Sequence, residues 1–194
     1  MKKKINSFIV VLVMLAMNVF AQGNSSDLIT EARTSSPYHF ISIKGDMNVK
    51  IVQDDMPGVT VRGNLYQIDN TITALRNDTL FVYQTNTRKH DSKVLLTINV
   101  ENISLLEASG NTKVDCTGLI NTDLLTIRAY NGAQIKVDVR ALKVDSKVTG
   151  CSTIDLSGIA ASNAESIDGC GSIDSHLLDV MDQRNSQEKS CTGC

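Results

Sequence analysis

A short segment recurs at nearly equal spacing in the second half of the chain. Four copies align at Gly110–Cys116, Asn131–Val137, Gly150–Leu156 and Gly169–Ser175, with starts 21, 19 and 19 residues apart. An aliphatic residue stands four positions after each start: Val114, Ile135, Ile154 and Ile173. A repeat of this length, made of short strands and a turn, is typical of one coil of a β-solenoid, which buries its apolar side only by stacking on neighbouring coils. The period therefore predicts a parallel stack of coils.

The first residue of each repeat indicates a tight turn. These positions are Gly45, Gly110, Asn131, Gly150 and Gly169, of which Gly45 opens an earlier segment of the same kind. Glycine, and after it asparagine, adopts a positive φ at the least cost. We therefore predict that these five residues are structural turn positions.

The rest of the pattern predicts an all-β protein. Short runs such as Ile41–Ile43, Val49–Ile51 and Leu96–Val100 alternate apolar and polar residues and are rich in β-branched side chains. The stretch between Gly45 and Gly110 is less regular. We expect about three longer coils there, with hairpins that protrude around residues 66–74 and 85–93. An ordinary β-sandwich is the alternative, but it gives no reason for equally spaced repeats.

The N-terminus has the pattern of a Sec signal peptide over residues 1–21. Three lysines, Lys2–Lys4, precede an apolar run from Ile5 to Phe20, and Ala21 ends a plausible cleavage site. This pattern predicts export and a mature chain that does not span the membrane. We divide the remainder into a flexible segment at 22–36, a β-solenoid domain at 37–181 and a polar, cysteine-containing tail at 182–194.

Composition excludes several classes of partner and chemistry. The formal charge is −2, and it becomes −5 once Lys2, Lys3 and Lys4 leave with the signal peptide. This charge argues against nucleic acid as a partner. Six aromatic residues and no Trp remain after the leader, which disfavours a deep carbohydrate cleft lined by rings. The three histidines are far apart in the sequence, so we predict no cofactor.

Candidate chemistry is sparse. The chain has no G-x-S-x-G motif, the signature of a nucleophile elbow. One position after the aliphatic residue of each repeat, the charged residues are Lys50, Asp115, Lys136, Asp155 and Asp174. Stacked in register, they form a solvated charged face, and a cation between Asp155 and Asp174 is the alternative. We assign no catalytic, cofactor-binding or metal residue.

The five cysteines are disulfide candidates if the chain is exported. Cys151 and Cys170 hold the same repeat position. Stacking would place their Cα atoms about 5 Å apart, within bridging range, so a disulfide and a reduced stacked pair both stay open. Cys116 falls in an apolar row, and this position predicts a buried thiol. Cys191 and Cys194 form a local disulfide or stay free, because a single CxxC is weak support for a redox or zinc site.

These motifs together resemble a bacterial family, the putative auto-transporter adhesin, head GIN domain. The resemblance lies in the opening strand segment Phe40–Ile51, the element Asn77–Val82, and the Gly- and Ser-rich turns that follow. It covers about residues 35–180. It implies a right-handed, pectin-lyase-like β-helix, a role in adhesion, and no known catalytic residues. The C-terminal end looks short for the family, and cysteines beside the turn glycines are unusual in it.

We therefore expect an exported, non-enzymatic cell-envelope protein that binds a surface protein or a glycan through its solenoid surface. It would lie in the periplasm, at the cell surface or outside the cell, either as a monomer or as a homo-oligomer. The alternatives are a pectin-lyase-like carbohydrate-active enzyme, distinguished by a cleft of converging carboxylates, and a periplasmic structural or accessory protein.

Overall fold

The computed structural model describes residues 28–34, 36–86 and 93–181. The predicted signal peptide and the predicted tail at 182–194 lie outside the described residues. The strands are β1 Ile29–Thr34, β2 Phe40–Lys44, β3 Met47–Gln53, β4 Gly58–Gly63, β5 Thr71–Arg76, β6 Thr79–Gln84, β7 Val94–Val100, β8 Leu105–Ser109, β9 Lys113–Tyr130, β10 Gln134–Thr149, β11 Thr153–Asp168 and β12 Ser172–Val180. The one helix of the described residues is α1, Leu65–Asp69. The all-β prediction is confirmed.

All twelve strands belong to one curled sheet. The first half of β9 pairs with β3, and its second half pairs with β8. From β3 the sheet continues through β7 and β4 to β1, and from β8 it continues through β2 and β6 to β5. On its other side, β9 pairs with β10, which leads to β11 and then β12. The long strands β9 to β11 therefore join two shorter series of strands into one sheet.

The structure pairs the aligned residues of successive repeats in parallel register. Ile135 lies opposite Ile154, and every other pair between β10 and β11 keeps the same offset in sequence number. Between β9 and β10 the offset is two residues longer at Val114 than at Leu119. The two extra residues lie in β9 between Asp115 and Leu119, where the register shifts. The unequal first spacing in the sequence thus has a local cause.

The core lies inside the curl, where alternate residues of each strand form rows of like side chains. The row Val114, Ile135 and Ile154 is at most 2% exposed. A second interior row runs through Ala108, Ala129, Val148 and Ile167, and its last member is 50% exposed. Since each interior residue is covered by its neighbours in the adjacent strands, burial fails where β11 has a neighbour on one side only.

The prediction of three coils between Gly45 and Gly110 is wrong. In this region β4 pairs antiparallel with both β1 and β7, and β5 and β6 form an antiparallel hairpin. The sequence there has strand periodicity but no repeat, and periodicity alone leaves strand direction open. The predicted hairpin at 85–93 lies largely outside the described residues.

The predicted hairpin at 66–74 is also wrong, because a helix begins there. Asn64 forms a capping box with Gln67: the Asn64 side chain accepts from the Gln67 amide, and the Gln67 side chain accepts from the Asn64 amide. This Asn-x-x-Gln pairing satisfies free N–H groups at the first turn of α1. Within the described part of the chain, no helix is long and apolar enough to cross a bilayer.

The segment predicted to be flexible, 22–36, contains a paired strand. Residues 29–34 form β1, which lies antiparallel to β4. The Arg33 guanidinium donates to the carbonyl oxygens of Thr71, at 2.6 Å, and Ile68, at 3.2 Å. These hydrogen bonds join the strand to α1 and β5, so long-range contacts hold a segment that has no strong strand pattern of its own.

Candidate binding surfaces

The five predicted turn positions all have positive φ. The values are 152° at Gly45, 83° at Gly110, 55° at Asn131, 73° at Gly150 and 119° at Gly169. Each begins a turn between two successive strands of the chain. At Gly150 a side chain would be strained by the backbone alone, because φ lies in the left-handed region.

Buried hydroxyl groups connect these turns. Ser152 is completely buried; its Oγ accepts from the Gly132 amide at 3.0 Å and donates to the Thr149 carbonyl at 3.3 Å. Thr112 Oγ1 lies at 3.0 Å from the Gly45 carbonyl oxygen. Because a buried unsatisfied polar group is costly, these bonds make the turns a well-ordered edge of the molecule.

The structure joins Cys151 and Cys170 in a disulfide with a Cα–Cα distance of 4.8 Å. Both residues are exposed at adjacent turns. Cys116 is a free, buried cysteine, and burial raises the pKa of its thiol to about 12. Cys191 and Cys194 lie outside the described residues.

We name the five exposed residues Lys50, Asp115, Lys136, Asp155 and Asp174 the charged row; they are direct neighbours across β3, β9, β10, β11 and β12. Signs alternate from Lys50 to Asp155, and Asp155 then adjoins Asp174, which bears the same charge. The side chain and the backbone amide of His176 both hydrogen-bond to the Asp174 carboxylate, and these bonds lower its pKa. In the described ranges, no group of three or more His, Cys, Asp or Glu residues has a geometry that could hold a metal ion.

An open groove borders the charged row. It is lined by Lys50, Leu95, Thr97, Lys113 and Asp115, among others. The groove is formed where β3 lies between β7 and β9. Its lining combines two ammonium groups, one carboxylate and a half-exposed leucine, which suits contact with a polar surface more than enclosure of a small molecule.

A second surface, on the outside of β6, β2 and β9, carries aromatic side chains. We name Phe40, Phe81, Tyr83 and Tyr130 the aromatic face. Phe81 is 37% exposed and Tyr83 is 39% exposed, whereas Phe40 and Tyr130 are half-buried. Four of the six aromatic residues that follow the predicted leader thus lie on one side of the sheet.

Strand pairing brings the aromatic face together. Ser42 lies opposite Phe81 and Lys44 lies opposite Tyr83 in the parallel pair β2 and β6. Phe81 and Tyr83 are two residues apart on the same side of β6, which separates them by roughly 7 Å. Phe40 lies diagonally from Phe81, a distance that aromatic side chains can bridge.

Further residues widen this face. The hairpin partner β5 places Ile72 beside Tyr83 and Ala74 beside Phe81. On the other side of β2, Glu107 in β8 lies opposite Ser42, and Arg128 in β9 lies opposite Glu107. The Arg128 guanidinium and the Glu107 carboxylate form an ion pair with an N–O distance of 3.8 Å. An exposed aromatic centre with charged residues at its rim is the composition of protein-recognition surfaces.

Sequence reasoning missed the aromatic face. Composition gives the number of aromatic residues but not their positions in space. Phe40 and Phe81 lie diagonally from each other only because β2 and β6, which are distant in the sequence, pair in the sheet. One signal in the sequence could have indicated this face. Phe81 and Tyr83 alternate with Leu80 and Val82 in β6, so that if Leu80 and Val82 are buried, the two aromatic side chains point outward.

The fold is shared with solved bacterial proteins. A putative adhesin from Parabacteroides distasonis ATCC 8503 has a TM-score of 0.63 at 17% identity, over 80% of this chain and 76% of that one. A putative adhesin from Bacteroides fragilis NCTC 9343 has a TM-score of 0.56 at 15% identity, over 77% and 97%. A third, from Parabacteroides merdae ATCC 43184, has a TM-score of 0.53 at 14% identity, over 78% and 97%.

A search of curated proteins finds no significant match to this chain. A family match, in contrast, spans residues 37–184, which is most of the chain and includes the turns, the charged row and the aromatic face. The chain therefore belongs to the family described as putative auto-transporter adhesin, head GIN domain.

Proposed function

We propose that this protein is a non-enzymatic adhesin that binds a surface protein or a glycan through the aromatic face. The observation that carries the proposal is the exposure of Phe81 and Tyr83 on one side of the sheet, with Ile72 and Ala74 beside them. Aromatic residues at the centre of a patch supply much of the binding energy of protein interfaces. The family and its solved relatives, which are described as putative adhesins, support the same role.

The shape of the aromatic face favours a large partner. Its residues lie on the outside of β6, β2 and β9, so the face follows the surface of the sheet. Small ligands are bound mostly in concave sites that bury most of their surface. A protein surface or an extended glycan can instead contact Phe81 and Tyr83 together with Lys44 and Arg128 at the rim.

The proposal includes a right-handed β-solenoid as the architecture. Parallel pairing of β9, β10, β11 and β12, each with the strand of the next repeat, supports it. Each repeat in this arrangement adds one strand to the sheet and one residue to every surface row. A pectin-lyase-like winding stays part of this proposal.

The alternative is a pectin-lyase-like carbohydrate-active enzyme, and a glycosidase on the same surface would need two carboxyl groups with different roles. Asp155 and Asp174 are adjacent in the charged row, at about one strand spacing. A general acid of a glycosidase needs a raised pKa, but the hydrogen bonds from His176 lower the pKa of Asp174. Asp174 is therefore poorly suited to act as a general acid.

The proposal also places the protein outside the cytoplasm. The sequence pattern of residues 1–21 is that of a Sec signal peptide. An exposed disulfide between Cys151 and Cys170 is stable in an oxidising compartment and rare in the cytosol. The periplasm, the cell surface and the medium all satisfy this condition, and cell fractionation together with surface protease accessibility on intact cells distinguishes among them.

The decisive experiment compares two variants in binding to a glycan array and to a panel of immobilised surface proteins. The double variant Phe81→Ala/Tyr83→Ala removes the exposed aromatic centre, and we expect its affinity for any partner of the native protein to fall at least about tenfold. Leu142→Ala is the matched control, because Leu142 is 64% exposed and lies in β10, away from the aromatic face.

Equal binding by the double variant and the native protein would refute the role of the aromatic face. If no glycan or protein is bound by the native chain and protease on intact cells does not reach it, the periplasmic structural role replaces adhesion.

A further inference from the structure

The charged row lies on an outer face of the sheet, and most of its charges have no partner within the chain. Lys50, Asp115, Lys136 and Asp155 are exposed neighbours on β3, β9, β10 and β11. Each bears the opposite charge to the next, yet none of the four forms an ion pair or a side-chain hydrogen bond with a described residue. Four charges of alternating sign therefore face the solvent in one line.

This order of charges is complementary to itself. A twofold axis parallel to the strands, between β9 and β10, would place a second copy face to face with the first. Such an axis reverses the order of the strands and keeps each row opposite the same row. Lys50 then faces Asp155 of the second copy, and each of these contacts occurs twice because the interface is symmetric. Asp115 faces Lys136 of the second copy in the same way. Sheets that pack face to face lie ~10 Å apart, which leaves room for these side chains to meet.

The alternation also disfavours the neighbouring registers. With the axis on β9, Lys50 would face Lys136 of the second copy, and Asp115 would face its own equivalent. With the axis on β10, Asp115 would face Asp155, and Lys136 would face its own equivalent. Like charges in contact oppose both arrangements. The charged row thus favours a single register over those displaced by half a strand spacing.

The open groove beside the charged row fits the acidic end of a second copy. The groove has a volume of about 660 Å³, and Lys50, Thr97 and Lys113 are among its lining residues. It lies over β7, β3 and β9, and the twofold axis brings β12 and β11 of the second copy over β7 and β3. Asp155 and Asp174 of that copy then lie close to two ammonium groups. The Thr97 hydroxyl faces Asp174, because both belong to the charged row's line across the sheet.

The size of this face predicts a weak dimer. The six strands from β7 to β12 across the sheet span ~29 Å, and a stretch of five residues such as 48–52 spans ~17 Å. The face therefore has an area of roughly 500 Å² in each copy, or roughly 1,000 Å² in total, which is at the small end of specific interfaces. We expect a dissociation constant on the order of 10–100 µM.

We propose that this protein forms a symmetric dimer through the charged row, with β9 of one copy against β10 of the other. The dimer does not depend on what the aromatic face binds, because that face lies on β6, β2 and the second half of β9. The two aromatic faces stay outside the interface. The dimer therefore carries two copies of the binding surface proposed above, which raises avidity for a surface with many partners.

Sedimentation equilibrium of the purified native protein measures the dissociation constant of the dimer. We expect this constant to rise at least about tenfold between about 0.05 M and about 0.5 M NaCl, because salt screens exposed charges. A protein that stays monomeric at about 0.5 mM in the lower salt, or a dimer that does not respond to salt, would overturn the proposal.

A charge-swap experiment tests the register. Lys136→Glu and Asp115→Lys each create two like-charged contacts in the dimer of that variant, so each variant alone should dimerise at least about tenfold more weakly than the native protein. In an equimolar mixture of the two variants, every contact between different variants joins opposite charges again. The dissociation constant of this mixed dimer should return to within about threefold of the native value.

Asp155→Lys is the matched control for Asp115→Lys. It changes the charge by the same amount, in the same row, on the other side of Lys136. Mixed with Lys136→Glu, it leaves two like-charged contacts in the proposed register, so the native affinity should not return. Equal recovery with Asp155→Lys and with Asp115→Lys, or no recovery with Asp115→Lys, would overturn the proposal. The salt experiment needs no variant, so it decides independently of how well the variants fold.

Discussion

Ile154 and Ile173 are direct neighbours in one interior row, yet Ile154 is completely buried and Ile173 is only partly buried. Ile154 lies between two strands, because Ile135 covers its other side. Ile173 belongs to β12, and among the described residues β12 pairs with β11 alone. Position along the row therefore decides how much each isoleucine contributes to stability.

Ile154→Ala should lower the free energy of unfolding by about 2–4 kcal/mol, because the cavity it leaves is enclosed on both sides. Ile173→Ala should cost less, since solvent already reaches its site. Denaturant midpoints of the two variants measure the difference. Equal costs, or a larger cost for Ile173→Ala, would contradict the assignment of these rows.

The turn at Gly150 should tolerate no β-branched residue. With φ at 73°, Gly150→Val forces a bulky side chain into the left-handed region, and we expect a loss of at least about 2 kcal/mol. Asn131→Gly is the matched control, because Asn131 has a φ of 55° in the equivalent turn and glycine accepts that backbone without strain. Thermal unfolding that shows similar losses for both variants would be inconsistent with this role of φ.

Ser152 should contribute to stability through its two hydrogen bonds. Ser152→Ala leaves the Gly132 amide without its acceptor, and we expect a cost of about 1–3 kcal/mol. Ser166→Ala, at an exposed position of β11, the strand that follows Ser152, should change the free energy of unfolding by less than about 0.5 kcal/mol. Urea denaturation of both variants checks the prediction, and a neutral Ser152→Ala would refute it.

Reduction of the Cys151–Cys170 disulfide, whose sequence separation is 19, should destabilise the protein by about 3 kcal/mol on the chain-entropy account. The comparison is between denaturant midpoints with and without a reductant. The Cys151→Ser variant is the control, because it should already have lost this contribution and should respond little to the reductant. A similar response in both proteins would assign the effect to another cysteine pair.

Stability should also fall at alkaline pH because of Cys116. Burial raises the pKa of this thiol from 9.0 to about 12, so above pH 9 the thiol ionises in the unfolded chain but not in the folded one. Its contribution is therefore fully present below pH 9 and is lost between pH 9 and 12, by up to about 1 kcal/mol per pH unit. Cys116→Val should lessen this loss in pH-dependent urea unfolding. An unchanged alkaline profile would exclude Cys116 as its source.

The sequence predicted the parallel repeats better than any other part of the fold. Alignment of Val114, Ile135, Ile154 and Ile173 required only a count of residues, because one period specifies every row at once. The antiparallel placement of β4 between β1 and β7 could not be predicted in this way. Its alternating pattern fits a strand of either direction, and the choice depends on which edges remain free.

The charged row and the aromatic face also differ in how far they could be predicted from the sequence. The charged row follows from the repeat, so Asp115, Lys136 and Asp155 could be placed side by side from the sequence. The aromatic face depends on the non-repetitive pairing of Phe81 with Ser42, for which the sequence contains no spacing rule. The surface that we propose for binding is thus encoded mainly in the irregular half of the chain.

The position of β3 between β7 and β9 determines the order in which the chain can complete its sheet. Pairs among β9, β10 and β11 join residues of successive repeats, whereas the pairing of Asn48 with Lys113 closes a much longer loop. Closing a longer loop costs more entropy and slows folding. During synthesis β3 therefore keeps one unpaired edge until β9 has emerged.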